Sequence, residues 1–269
     1  MSYLKFLIAL PGLVYGMVVL AMYLNQDNLI YDTRRENITP EQAGLSNVET
    51  LKIRTSDGVK IIAWYTPATA GKATILFFHG KGGNIGGRPH RYSYYVSRGY
   101  GVLFVSYRGY GPSEGEPNAH GIITDAETSY DWLIAHGVDA KLILVVGESM
   151  GTGVATILAA HRPVAGISLE APYSAIVDVA ADRYWWIPAR LLIRENFEPI
   201  NVISNIHAPI LMQHGDQDKS IPLEFGEKLF AAANEPKEML VLPGVGHDDI
   251  FTETTWAREI AFFDRVMAQ

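Results

Sequence analysis

Leu142-Ile143-Leu144-Val145-Val146-Gly147-Glu148-Ser149-Met150-Gly151 is the stretch on which the fold of this chain turns. Its first half is continuously apolar and rich in branched residues, as a strand buried on both faces should be. From Met150 to Ala160 the residues are small and helix-compatible. Strand, sharp turn, helix is the context in which G-x-S-x-G presents a serine hydroxyl as a nucleophile. The two glycines are needed because strand and helix approach closely there, leaving no room for a Cβ. The competing expectation is a structural turn whose serine caps the following helix; in a chain with 25 glycines the five-residue pattern alone would not separate the two.

Outward from that turn, apolar runs and helical stretches alternate. Val48–Ile53 and Val59–Tyr65 flank Ser56-Asp57-Gly58 as an edge hairpin. Thr74–Phe78, Gly101–Tyr107, Val164–Leu169, Pro209–Gln213 and Lys237–Leu242 supply further strands, and Asp125–His136, Leu223–Ala233 and Glu253–Met267 supply helices. With the Leu142 run this predicts an α/β chain with a mostly parallel eight-stranded sheet covered on both faces. Residues 171–206 are longer than a crossover needs and carry Tyr173, Tyr184, Trp185, Trp186 and Phe197. They are expected to form a small helical cap over the serine, or an insertion packed on the core. Tyr110, Tyr173, Trp185, Trp186 and Leu191 are the candidate pocket residues, and an apolar cap suits an acyl chain better than a sugar or phosphate.

A serine hydroxyl needs a base, and the base an orienting carboxylate, in the chain order serine, acid, histidine. His207, His214 and His247 are the available bases. His247 follows the last strand in Pro243-Gly244-Val245-Gly246-His247, at the carboxyl edge where ligands gather in open α/β sheets. His214 is expected to hydrogen-bond its own loop. The acid belongs to His214-Gly215-Asp216-Gln217-Asp218, and spacing does not separate Asp216 from Asp218. The glycine-rich loop His79-Gly80-Lys81-Gly82-Gly83-Asn84 would bring the Lys81 N–H beside the Met150 N–H as an oxyanion hole. It lacks the spacing of a nucleotide-binding loop, and no dinucleotide fingerprint follows a strand. Arg108, in Arg108-Gly109-Tyr110-Gly111, is expected to tie neighbouring loops together.

Composition bounds the rest. A chain of 269 residues can fold around one large core. The net charge of −7, with no Lys/Arg cluster, argues against nucleic acid as a partner. The absence of cysteine excludes disulfides and thiolate-held metals and leaves the compartment open. Residues 6–24 carry no charge, and nineteen helical residues reach about 28 Å, close to a bilayer's apolar thickness. Residues 1–24 are therefore expected to be a single-pass membrane anchor rather than a cleaved signal or a core helix, and 25–47 a connector to a domain over 48–269. Lys5 nearly balances Arg34 and Arg35, and the short tail is assigned inside, the domain outside.

Taken together, Phe78-His79-Gly80 through Asn84, Tyr107-Arg108-Gly109-Tyr110-Gly111-Pro112-Ser113, Gly147–Gly151, His214-Gly215…Asp218…Ile221-Pro222 and Gly246-His247 resemble the α/β-hydrolase superfamily over residues 48–267. Within it the chain is similar to the membrane-anchored, Bem46-related group of serine hydrolases. The resemblance implies Ser149 as nucleophile, His247 as base, Asp218 as acid, the Lys81 and Met150 amides as oxyanion donors, and no metal or organic cofactor. Lys81 and Met150 stand where relatives commonly carry a small polar residue and Leu. Relatives include protein depalmitoylases and lipid hydrolases. The expected activity is cleavage of a carboxylic ester or thioester, of a lipid or an acylated protein; a serine peptidase or amidase, or a non-catalytic binding protein on the same fold, are the alternatives. Oligomeric state is not legible.

Overall fold

The computed structural model describes residues 2–33, 36–195 and 197–268, with the side chains of residues 2–9 outside the described set. Its centre is an eight-stranded sheet built from β1 (Glu49–Arg54), β2 (Lys60–Thr66), β3 (Thr74–Phe78), β4 (Gly101–Ser106), β5 (Ile143–Glu148), β6 (Gly166–Glu170), β7 (Ile210–Gly215) and β8 (Lys237–Leu242). The order is β1-β2-β4-β3-β5-β6-β7-β8. The β1–β2 and β2–β4 pairs are antiparallel, and every other pair is parallel. This is the α/β-hydrolase architecture, with the expected edge hairpin closed through Asp57-Gly58.

The apolar runs are strands with both faces covered. Along β3, Leu76 and Phe78 join one core with Leu103, Val105, Val145 and Leu169, while Ile75 and Phe77 join a second core with Val102, Phe104 and Val146. That is the two-residue alternation of a pleated strand. The first core is roofed by α4 (Ala119–Ala135), α5 (Met150–His161) and α8 (Leu223–Ala232), the second by α3 (Pro89–Val96) and α9 (Glu253–Met267). α3 has no counterpart in the sequence reading. Its buried face is made of Arg91 and three tyrosines rather than aliphatic residues, with His90 and Ser93 exposed, so the usual aliphatic stripe of a surface helix is missing.

Residues 171–206 hold α6 (Ile176–Arg183), the four-residue α7 (Ala189–Leu192) and two short 3-10 turns. Asp178 of α6 accepts hydrogen bonds from Ser174 (2.6 Å), Arg190 (2.8 Å) and Lys228 of α8 (2.8 Å), which fastens this segment to the body.

At the N-terminus, α1 runs from Ser2 to Leu24 and α2 from Gln26 to Ile30. The transmembrane anchor expected over 6–24 finds no support: among the described residues no helix is long and apolar enough to cross a membrane. Residues 6–9 of that expectation have side chains outside the described set. Residues of α1 and α2 are also engaged in contacts with the cap. Tyr15 donates to the Trp186 carbonyl (3.0 Å), and Gln26 donates to the Leu192 carbonyl (3.4 Å) and accepts from the Arg194 N–H (2.8 Å). The 25–47 segment likewise does more than connect, since α2 and the Asp32–Gly82 bridge lie against the glycine-rich loop.

The junction of β5 and α5 is among the tightest places in the sheet. A Cβ on Gly147 would meet the Gly151 carbonyl oxygen at 2.5 Å, and one on Gly151 would meet the Phe78 carbonyl oxygen at 2.2 Å. Both obstacles are backbone and cannot rotate away. Gly151→Ala is expected to destabilise the fold by about 3 kcal/mol, the cost of overpacking at a site that cannot yield. Gly87→Ala, where nothing lies within 4 Å of the added carbon, should leave the urea midpoint unchanged.

Candidate active site

Because β5 ends where α5 must begin at once, Ser149 is forced into φ 52°, ψ −117°. A non-glycine residue in that region carries strain of about 1–3 kcal/mol and persists only when its surroundings over-determine it. They do: the Ser149 N–H donates to the Glu170 carbonyl (2.9 Å), and its carbonyl accepts from the Thr152 N–H (2.9 Å) and hydroxyl (2.7 Å). The side chain makes no capping bond to α5, which disposes of the simple helix-cap alternative. Instead its Oγ lies 3.0 Å from His247 Nε2.

His247 sits in the loop after β8, where sequence placed it. Its Nδ1 is 2.7 Å from Asp218 Oδ2. The other carboxylate oxygen of Asp218 accepts from the Ser220 and Ile221 N–H groups, both at 2.8 Å, so the carboxylate is fixed from two sides. Burial opposes charge on Asp218, yet hydrogen bonds with His214 and His247 and from the Ile221 amide outweigh it and hold the carboxyl well below the usual carboxylate range. The neighbouring Asp216 faces elsewhere and accepts from the Gly244 N–H (2.7 Å), shaping the loop that carries His247. His214 is fully buried, with Nε2 against the Ile221 carbonyl (2.8 Å).

Ser149, His247, Lys81, Met150 and Tyr173 line one cavity of about 540 Å³. The Tyr173 hydroxyl donates to the Met150 carbonyl (3.2 Å), at the first turn of α5, where unsatisfied N–H groups and the helix dipole favour negative charge. The Lys81 peptide is held by its carbonyl, which accepts from Asp32 N–H (3.2 Å) and the Tyr110 hydroxyl (2.9 Å). Lys81 Nζ reaches the Leu29 carbonyl at the end of α2 (3.4 Å). His79, entirely buried, has its Nδ1 2.7 Å from the Gly80 carbonyl. Burial, helped by Arg88, pushes its pKa down to about 3, so the ring is neutral and donates that bond.

Four of the five candidate pocket residues lie away from this cavity. Tyr110 is fully buried beneath the glycine-rich loop and supports it rather than lining the cavity. Trp185 (80% exposed), Trp186 (40%) and Leu191 (85%) point to solvent. The cap presents Ile176, Val179, Ala180 and Tyr184 to the cavity, one face of α6 and its end, while Trp185 and Trp186 stand in the turn that follows α6. The α2 residues Leu29 and Ile30 also line it, though the sequence marks them only as part of a polar connector.

The matching family model, described as α/β hydrolase fold, covers residues 73–192. The chain is 30% identical over 284 residues to the α/β-hydrolase domain-containing protein WAV2 of Arabidopsis thaliana, spanning 94% of this chain and 91% of that protein. This chain belongs to the α/β-hydrolase family. It is also 28% identical over 239 residues to the lysophosphatidylserine lipase ABHD12 of Danio rerio, spanning 74% of this chain and 62% of that one. Among solved structures, the Pyrococcus furiosus esterase Pf2001 superposes with a TM-score of 0.73 over 88% of this chain and 98% of the other, at 19% identity, which is a likeness of fold.

Under the serine of this hydrolase fold lies a charged cluster that sequence reading missed. Arg88 forks onto Glu148, the residue before Ser149, and Arg91 binds Glu170 and Glu259, with Glu148 Oε2 3.9 Å away. Tyr95 donates to Glu259 and accepts from Arg91. Burial pushes Glu170 up, reinforced by Glu259 and only partly offset by Arg91, whereas the two arginines overcome burial and pull Glu148 down. Glu170 lies 79 positions from Arg91, and Glu259 lies 168, so no local pattern announces the cluster. Similarly, Arg108 joins the buried Asp125 (2.8 and 3.0 Å) to Asp57 (2.7 and 3.1 Å), the loop tie expected of it.

Removing Arg91 would leave buried carboxylates without their cation. Arg91→Met should cost about 3–5 kcal/mol of stability, the usual result of breaking one side of a buried ion pair. Adding Glu170→Gln to that variant should restore part of the loss, measured by urea denaturation.

Proposed function

We propose that this α/β hydrolase is a serine hydrolase of carboxylic esters or thioesters carrying an acyl chain. The observation that carries the reading is the continuous relay Ser149 Oγ–His247 Nε2 (3.0 Å), His247 Nδ1–Asp218 Oδ2 (2.7 Å), opening into a cavity of about 540 Å³. Asp218, kept ionised, accepts a hydrogen bond from the Nδ1–H and so holds His247 in the tautomer whose Nε2 lone pair faces the serine. As Ser149 Oγ attacks the substrate carbonyl, its proton passes to Nε2, and Asp218 stabilises the imidazolium. Charge grows on the former carbonyl oxygen, for which the Lys81 and Met150 N–H groups are the proposed donors; losing one such donor typically costs about 2.7–4 kcal/mol of barrier. The C–O or C–S bond then breaks as Nε2 returns the proton to the leaving alcohol or thiol. Water, deprotonated by the same nitrogen, attacks the acyl-enzyme, and collapse frees the acid and Ser149.

The position of the serine at the N-terminal end of α5 favours the same step, because the positive end of the helix dipole stabilises negative charge there. The apolar cap residues Ile176, Val179 and Ala180 support an acyl chain as the substrate's tail. The lipase activity named for the zebrafish relative supports the same substrate class.

Hydrolysis of p-nitrophenyl esters and acyl-CoA thioesters tests the reading. Ser149→Ala should lower kcat by about 10⁶ and Asp218→Asn by about 10⁴, the losses typical of a nucleophile and of an orienting acid. Asp216→Asn should stay within twofold. Equal rates in the parent and Ser149→Ala would sink the proposal, and equal losses at both aspartates would remove Asp218 from its assigned role.

A further inference from the structure

We infer that the groove between the N-terminal helices and the cap is the acyl-chain site of this enzyme, so that α1 and α2 form one wall of the substrate pocket. The inference rests on the ester-hydrolase reading and extends it to a location and a chain length. A second cavity, narrow and about 70 Å³, lies between Val19 and Met22 of α1 and Ala180, Ile187 and Leu192 of the cap. Leu29, Ile30, Ala180 and Tyr184 line both this groove and the cavity that contains Ser149. The two spaces therefore share walls, and a chain whose carbonyl meets Ser149 would pass between these shared residues toward α1.

What the groove offers chemically selects its occupant. Its lining is aliphatic apart from Tyr23, Tyr184 and Gln26. Gln26 has its polar atoms engaged by the protein: Nε2 donates to the Tyr23 carbonyl (2.9 Å) and the Leu192 carbonyl (3.4 Å), and Oε1 accepts from the Arg194 N–H (2.8 Å). A sugar, a phosphate or a peptide backbone entering here would lose its water and find few replacement hydrogen bonds, a penalty of several kcal/mol in general terms. A linear methylene chain gains from the same desolvation, about 0.8 kcal/mol per buried CH₂. Among the described residues no charged one lines the groove itself, whereas Lys81, Arg88, Arg183, Glu148 and Asp248 border the catalytic cavity. The polar part of the substrate is thus directed to Ser149 and the tail to the groove.

Both walls are fixed. The Tyr15 hydroxyl donates to the Trp186 carbonyl (3.0 Å), with the rings edge-to-face at 6.4 Å. Arg194 pairs with Asp27 (3.2 Å) and lies over the Tyr23 ring (5.2 Å). These contacts clamp α1–α2 to the cap on either side of the groove, so the site exists before the chain arrives.

Met22 and Ile187 line the groove and not the catalytic cavity, which makes them the positions to change. Rates on p-nitrophenyl esters of two to sixteen carbons are measured for the full chain, for Met22→Trp and for Ile187→Ala, with Ser149→Ala as the control. The parent should be fastest at eight carbons or longer. Met22→Trp, which fills the groove, should lower the ratio of dodecanoate to butanoate rates at least tenfold, and Ile187→Ala, which widens it, should move the optimum to longer chains by two carbons or more. A ratio within twofold of the parent in both variants, or a parent optimum at two to four carbons, overturns the groove. In either case Ser149-dependent hydrolysis of the short esters would leave the hydrolase reading standing, whereas hydrolysis that survives Ser149→Ala would remove both.

Discussion

The strained backbone at Ser149 is the constraint on which the rest of the molecule depends. A residue with a side chain is held at positive φ because β5 must reverse into α5 within one residue, and because the glycines on either side allow carbonyl oxygens to stand where a Cβ would be. Strain of this kind survives only inside a rigid frame. Here the frame is β5 flanked by β3 and β6 in parallel register, which also brings the glycine-rich loop after β3 and the Glu170 carbonyl at the end of β6 to the serine. The loops after β7 and β8 arrive at the same edge, carrying Asp218 and His247. One topological fact thus assembles parts drawn from five separate stretches of chain.

Beneath that edge the molecule keeps two arginines and three glutamates out of water. Such clusters rarely add net stability over a well-packed apolar alternative, since desolvation cancels most of the Coulomb gain. What this one adds is position. Glu148 and Glu170 are the residues whose backbone flanks and hydrogen-bonds Ser149, and Arg88 and Arg91 reach them from α3 and the loop before it. Glu259 extends the tie to α9, so helices on one side of the sheet are locked to the turn that holds the serine.

Much of this was legible in the sequence where physics is local. The continuous branched runs of β3, β4 and β5 announce strands buried on both faces, and the glycine spacing around Ser149 announces the sharp turn. His247 was legible because it follows the last strand in a glycine-rich loop. Asp218 was not separable from Asp216 by spacing, because the distinction lies in which carboxylate meets the histidine and which caps Gly244. The pocket wall is a second such place: Trp185, Trp186 and Leu191 are the conspicuous apolar residues of the cap, but the two tryptophans stand in the turn between α6 and α7, outside the cavity with Leu191, and the inner face belongs to Ile176, Val179 and Ala180 of α6. The role of α1 and α2 was hidden because an apolar run followed by a polar one has the composition of an anchor and a linker. Only the folded chain shows Val19, Met22 and Leu29 facing the cap.

The most direct test of the account is whether Ser149 is an activated nucleophile. The full chain is treated with an alkyl fluorophosphonate, and the adduct is located by intact mass and peptide mapping. Attack by the serine oxygen forms an O–P bond and expels fluoride, so a single adduct on the peptide containing Ser149, absent from Ser149→Ala and greatly slowed in His247→Ala, is the predicted result. A protein that stays unlabelled, or that carries its adduct on another residue, would contradict the account at its centre.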